Sequence, residues 1–166
     1  MIKRSMLVTL LTILAVVASA QTAQAHFQGY SAVDGNEIRY EDYTQWNDAL
    51  GIAIAGWQNL SGGVNIAPDT SSTTTDLQVV DYSRVDNRCG YYDPSGFIDV
   101  VALNNNYFNT YSTNDRRACM LHEWGHAHGL AHSYSTQAMD SCPVSSCGSA
   151  FITPQSHDRS DYYAIW

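Results

Sequence analysis

The most regular apolar spacing in the chain runs through Trp46, Ala49, Leu50, Ala53, Ile54 and Trp57. Its 3.6-residue period predicts a helix opened by Asp42 or Thr44. Asn36 to Tyr40 reads as a first strand before it. Gly62-Gly63 marks the turn out, and Val64 to Ala67 reads as a short strand. After the polar loop Ser71 to Thr75, the run Leu77 to Tyr82 favours β-structure. Asp93-Pro94-Ser95-Gly96 is turn chemistry between Gly90-Tyr91-Tyr92 and Phe97 to Leu103, so a hairpin is expected there. A second helix starts at Asp115, with Thr113 or Asn114 as its N-cap, and runs through Arg116 to Leu121 into a histidine-rich stretch. His157 to Trp166 reads as a short closing helix. Strands and helices intermingle around one core, without repeats or a linker, which predicts a single α+β domain.

The leading segment does not belong to that pattern. Residues 1–20 carry Lys3 and Arg4, an apolar run from Met6 to Val17, and small residues at Ala18-Ser19-Ala20. This is the layout of a cleaved export signal, with an alternative cleavage after Ala25. About twelve apolar residues are too few to span a bilayer. The expected product is a secreted domain over residues 26–166, with no membrane attachment once the leader is removed. Sixteen acids against eight bases give a net charge of −8 over 166 residues, and removing Lys3 and Arg4 takes it to −10 without a single lysine left. Such a chain repels phosphate backbones, which excludes nucleic acid as a partner.

Four cysteines in an exported chain are read as two disulfides. Three connectivities are possible. The short loop between Cys142 and Cys147 favours a local bridge, leaving Cys89 with Cys119. The rival reading makes Cys119 a metal thiolate, since it lies one turn before His122.

The stretch with the most specific chemistry is His122-Glu123-Trp124-Gly125-His126-Ala127-His128-Gly129-Leu130-Ala131-His132. Four residues apart, His122 and His126 share one helix face and can reach one ion. Glu123 is rotated by about 100° from His122, toward a metal-bound water rather than the metal. Gly129 tolerates positive φ, so it can end the helix and bring His132 back as a third nitrogen ligand. Three protein ligands leave a position open for water, as in catalytic rather than structural zinc sites. A chance match to the five fixed positions has a probability of about one in 10⁵.

This run resembles the zinc-binding motif of metzincin metallopeptidases, and Ala138-Met139-Asp140 stands where that group has its Met-turn. Within the group His132-Ser133 and the run to Met139 look most like the matrixin branch, and Ser141 stands where astacin- and serralysin-type members carry a tyrosine ligand. The resemblance implies a twisted, mostly parallel sheet with an antiparallel edge strand, a zinc-binding helix and a C-terminal helix. It implies zinc on His122, His126 and His132, Glu123 as general base, and Met139 as an apolar floor. The implied activity is a secreted, monomeric zinc endopeptidase acting on an extended peptide along the edge Gly90-Tyr91-Tyr92. Two alternatives stand beside it: a catalytically silent zinc-fold binding protein, and a zinc hydrolase of a non-peptide amide or ester.

The remaining candidates are read more plainly. His128 projects roughly 200° from the ligand face and is expected at the surface or behind the site. Trp124 is expected in packing. His157 reads as a solvated or helix-capping residue rather than a ligand for a second metal. Asp86, Asp93 and Asp99 are the candidates for a calcium ion, the second cofactor that the family resemblance brings with it, although their spacing matches no defined calcium loop.

Overall fold

A computed structural model describes residues 26–166 apart from positions 135 and 149; the leader expected over residues 1–20 or 1–25 lies outside the described residues. The chain is an α+β fold. Five strands, β1 (Glu37–Asp42), β2 (Asn65–Pro68), β3 (Leu77–Tyr82), β4 (Gly90–Asp93) and β5 (Asp99–Asn104), form one sheet in the order β2-β1-β3-β5-β4. Pairing is parallel for β1 with β2, β1 with β3 and β3 with β5; β4 alone runs antiparallel, at the edge, against β5. Among the described residues four α-helices accompany the sheet: α1 (Asn47–Gln58), the single turn α2 (Asn105–Phe108), α3 (Thr113–Ala127) and α4 (Ser156–Ile165).

Leu77 and Val79 alternate with half-exposed neighbours along β3, so one face of that strand is buried. The inner strand β5 is buried over Val101 to Asn104 and pairs Val101 with Val79. These side chains join Leu50, Ala53 and Trp57 of α1 and Met120, Leu121 and Trp124 of α3 in one core. Trp57 ties the two helices together, its Nε1–H donating to the Leu121 carbonyl at 3.0 Å. Two disulfides, Cys89–Cys119 and Cys142–Cys147, use all four cysteines; the first ties the start of β4 to α3 and rules out Cys119 as a thiolate ligand. No described helix is long and apolar enough to cross a membrane.

Several local expectations are corrected. Neither Asp42 nor Thr44 opens α1, which begins at Asn47. Asp42 instead accepts the Thr44 N–H at 3.0 Å, and the Thr44 hydroxyl donates to Asp81 and accepts the Trp46 N–H. These polar side chains build the turn after β1, a use that competes with capping. The α3 cap is Ser112 rather than Thr113 or Asn114, its hydroxyl accepting the Asp115 N–H at 3.2 Å. Strand β2 starts one residue later than expected, and Phe97 lies exposed in the hairpin turn rather than in β5. The turn of α2 follows from Asn104, whose side chain accepts the Asn106 N–H as a helix cap.

Candidate metal centre

Helix α3 carries His122, Glu123 and His126 on its last turns. Gly129 has φ +89°, a left-handed conformation that turns the chain out of the helix. A Cβ there would also lie 2.6 Å from the Phe27 ring. The exit strand is held in place from both sides. Ala131 N–H donates to the His26 carbonyl at 2.6 Å, and Ser133 N–H donates to the Met139 carbonyl at 2.8 Å. His132 sits between these two anchors.

The result is a triangle of Nε2 atoms: His122 to His126 at 3.1 Å, and His132 to each of them at 3.2 Å. The opposite ring nitrogens fix the tautomers. His122 Nδ1–H donates to the Ala138 carbonyl at 2.8 Å, and His126 Nδ1–H donates to the Leu130 carbonyl at 2.7 Å. A carbonyl can only accept, so Nε2 carries the lone pair on both rings. The lone pairs of His122 and His126 face each other at 3.1 Å and repel unless a cation or a donor lies between them, and His132 Nε2 converges on the same point. Burial, chiefly, holds all three imidazoles below their usual pKa, His126 at about 4, which keeps them neutral and able to ligate. The donor set therefore fits a divalent ion.

Glu123 is buried beside this triangle, against Gly90 of β4. Burial pushes its carboxyl up to about 8, opposed by a weaker pull from Arg88. Both Glu123 and the histidines line one cleft of about 440 Å³, open to solvent, whose other walls include Tyr30, Tyr92, Tyr111 and Ser141.

Met139 packs under the helix at Gly125. A Cβ at Gly125 would lie 2.2 Å from Met139 Sδ and 2.9 Å from the Trp57 ring, so only glycine lets these groups approach. Asp158, wholly buried at the start of α4, accepts the N–H groups of Ala138 at 2.8 Å and Met139 at 3.1 Å. Thus α4 holds the Met139 turn, and that turn orients His122 through the Ala138 carbonyl.

His128 is not at the surface. It is fully buried, its ring packed among Trp57, Trp124 and Tyr162, because α3 is covered on that side as well. Trp124 is core, edge-on to Tyr40. Asp86, Asp93 and Asp99 are not among the described clusters able to hold a metal. Asp99 instead accepts from the Tyr92 hydroxyl, Asp86 from the Asn104 side-chain amide, and Asp93 from the Ser95 N–H, so each is engaged within the protein. The N-terminal segment is the part of the site that sequence reasoning missed. Gln28 donates from Nε2 to the His126 carbonyl at 2.6 Å, and Tyr30 forms a wall of the cleft. Nothing in this short segment, which has no helical or strand period, signals that position.

No protein family matches the chain, and no curated protein does. Solved structures do match. One is a chain of the "GM1 bound form of the ECX AB5 holotoxin", 17% identical, covering 86% of this chain and 85% of that one with a TM-score of 0.52. At that identity the likeness shows a shared fold. It also corrects the family reading. The matrixin-like metzincin assignment rested on about an eighth of the chain, whereas the fold over most of its length is shared with a toxin-assembly chain. With that assignment go the conclusions drawn from it: the secreted endopeptidase and its protease class, the extended peptide substrate and the monomeric state. The comparison favours neither alternative, the silent zinc-fold binder or the non-peptide hydrolase. The physical reason is one of scope. A helix and its exit turn set three ligand positions, but not what the surrounding cleft accepts.

Proposed function

We propose that residues 26–166 form an exported domain built around a mononuclear zinc centre that activates water. His122, His126 and His132 would hold the ion through Nε2, and Glu123, whose carboxyl burial holds up at about 8, would accept a proton from water at the cleft side once the cation's charge favours its ionised form. The observation that carries this reading is the Nε2 triangle with its 3.1–3.2 Å edges, two of its members locked as Nδ1–H tautomers by backbone carbonyls. When bound, zinc supplies a Lewis acid that lowers the pKa of a coordinated water to about 7. The chain supplies the rest. Gly125 and Met139 set the floor, Asp158 fixes the turn that orients His122, and burial keeps Glu123 close and poorly solvated. Export is supported by the leader in the sequence and by the disulfides, which persist in oxidising compartments.

The test compares the wild type with His126→Ala and Glu123→Gln after loading with zinc or cobalt(II). His126→Ala should lose one metal equivalent, while Glu123→Gln should keep it. In the cobalt-loaded wild type the visible spectrum should change with pH as the bound water ionises, and Glu123→Gln should move that transition. Equal loading of wild type and His126→Ala, or a spectrum indifferent to pH and to Glu123, would overturn the reading.

A second reading concerns the ligand. Tyr30 and Tyr92 stack at 6.3 Å on the cleft wall, and Tyr91 and Tyr111 also line it. Such amphipathic rings suit a sugar face. The matched holotoxin is described as GM1-bound, so the GM1 oligosaccharide is the glycan to titrate, with Tyr92→Ala as control. Absence of saturable, Tyr92-dependent binding removes this reading and leaves the first untouched.

A further inference from the structure

Away from the three-histidine triangle, the described residues hold another convergence of metal-ligating atoms. His26, just ahead of the segment that lines the cleft, meets His157 and Asp161 of α4. His26 Nδ1 lies 3.0 Å from Asp161 Oδ2, and His157 Nε2 lies 3.1 Å from His26 Nδ1 and 3.4 Å from Asp161 Oδ2. We propose that these three side chains form a second, independent binding site for a divalent cation of the zinc class.

The separations suit an ion. Ligands at about 2.0–2.2 Å in a tetrahedral set lie about 3.3 Å from one another, close to all three edges of this triangle. Two imidazoles with one carboxylate is a recurring zinc donor set. His157 and Asp161 are four residues apart on α4, so they rise from one face of the helix.

Asp161 provides a separate observation. It is 2% exposed, its Oδ1 is buried without a hydrogen-bond partner, and its described ion-pair partners are His26 and His157 alone. A buried carboxylate needs compensation. Neutral imidazoles supply it poorly here. If both ring nitrogens donate to Oδ2, their two N–H groups face each other at 3.1 Å; if only one donates, the other turns a lone pair toward the carboxylate; in either case Oδ1 is still bare. A cation between the three groups removes that conflict and offers Oδ1 a second coordination contact.

Around this point the protein is built up rather than open. The Tyr134 ring packs against His26 at 5.4 Å and His157 at 5.3 Å, and His157 N–H donates to Gln137 Oε1. Both imidazoles keep partial solvent access, which gives an ion a way in. Bound there, the cation staples the segment starting at His26 to α4. Since the His26 carbonyl receives the Ala131 N–H, the staple also steadies the strand that carries His132.

The experiment measures zinc per chain by equilibrium dialysis, with elemental analysis, on the purified exported protein in millimolar magnesium. Wild type should bind two equivalents, His157→Gln one, His126→Ala one and the double variant none. Circular dichroism checks each fold, and His26→Gln, at a partly exposed position, stands in if His157→Gln does not fold. Loss of an equivalent in His157→Gln or His26→Gln with His126→Ala unaffected would support this site and sink the three-histidine reading. One equivalent in the wild type that survives His157→Gln and His26→Gln overturns the second site, leaving His26, His157 and Asp161 as a hydrogen-bonded network alone.

Discussion

The Asp158 carboxylate, buried at the start of α4, holds the backbone N–H of Met139 at 3.1 Å, nineteen residues back along the chain. Its other oxygen takes the N–H groups of Ala138 and Gln155. Replacing it by alanine leaves three backbone donors, two of them in buried bonds, without their acceptor. Asp158→Ala should cost about 2–4 kcal/mol in urea unfolding. Because the Ala138 carbonyl orients His122, the same variant should weaken metal binding at the triangle roughly 10–100-fold. Unchanged affinity in a folded Asp158→Ala protein would show that the turn does not position His122.

Two helical glycines should respond with opposite signs. Gly125→Ala drives a Cβ into Met139 and the Trp57 ring, an overpacking worth about 1–3 kcal/mol of lost stability. Gly51, within α1, has nothing within 4 Å of a built Cβ. Gly51→Ala should therefore stabilise by about 0.5–1 kcal/mol through helix propensity. Thermal unfolding of both variants checks the pair.

Chelation should lower the melting temperature of the loaded protein. An ion present at about 100 times its dissociation constant stabilises the state that binds it by about 2.7 kcal/mol. For a domain of this size that corresponds to roughly 5–10 °C. Calorimetry with and without chelator measures it, and a His126→Ala protein should show a smaller drop.

The Cys89–Cys119 bridge closes a loop of sequence separation 30. The chain-entropy model assigns such a loop about 3–4 kcal/mol. A Cys89→Ser/Cys119→Ser protein should lose about that much in denaturant unfolding, and more than Cys142→Ser/Cys147→Ser, whose loop spans five residues.

Those elements that pack through a local repeat were legible in the sequence. Leu77–Tyr82 is β3 to the residue, the Gly90–Leu103 hairpin pairs in antiparallel register, and the histidine run ends its helix at Gly129. Where several residues can do one job, the sequence does not choose. Ser112, Thr113 and Asn114 are all competent caps, and Ser112 takes the role because its hydroxyl pairs reciprocally with Asp115. His128 lies buried behind the site rather than at the surface for a different reason. Angular position on a helix tells which residues share a face, and α3 is buried on the faces away from the cleft too. The meeting of His26 with Asp161 spans 135 residues and has no local trace. The eleven-residue motif named three nitrogens that do converge, yet it carried no information about the fold shared with the holotoxin chain.

The bond from Asp158 to the Met139 turn also sets an order of events during folding. The motif from His122 to His132 can form its helix locally, but until α4 docks nothing holds the turn that orients its first imidazole. Contacts between distant segments form late, after the chain between them has closed. The triangle is thus one of the last features to settle, and an ion captured early meets a loose site. Stopping the chain before Asp158 should yield every residue of the motif without its geometry.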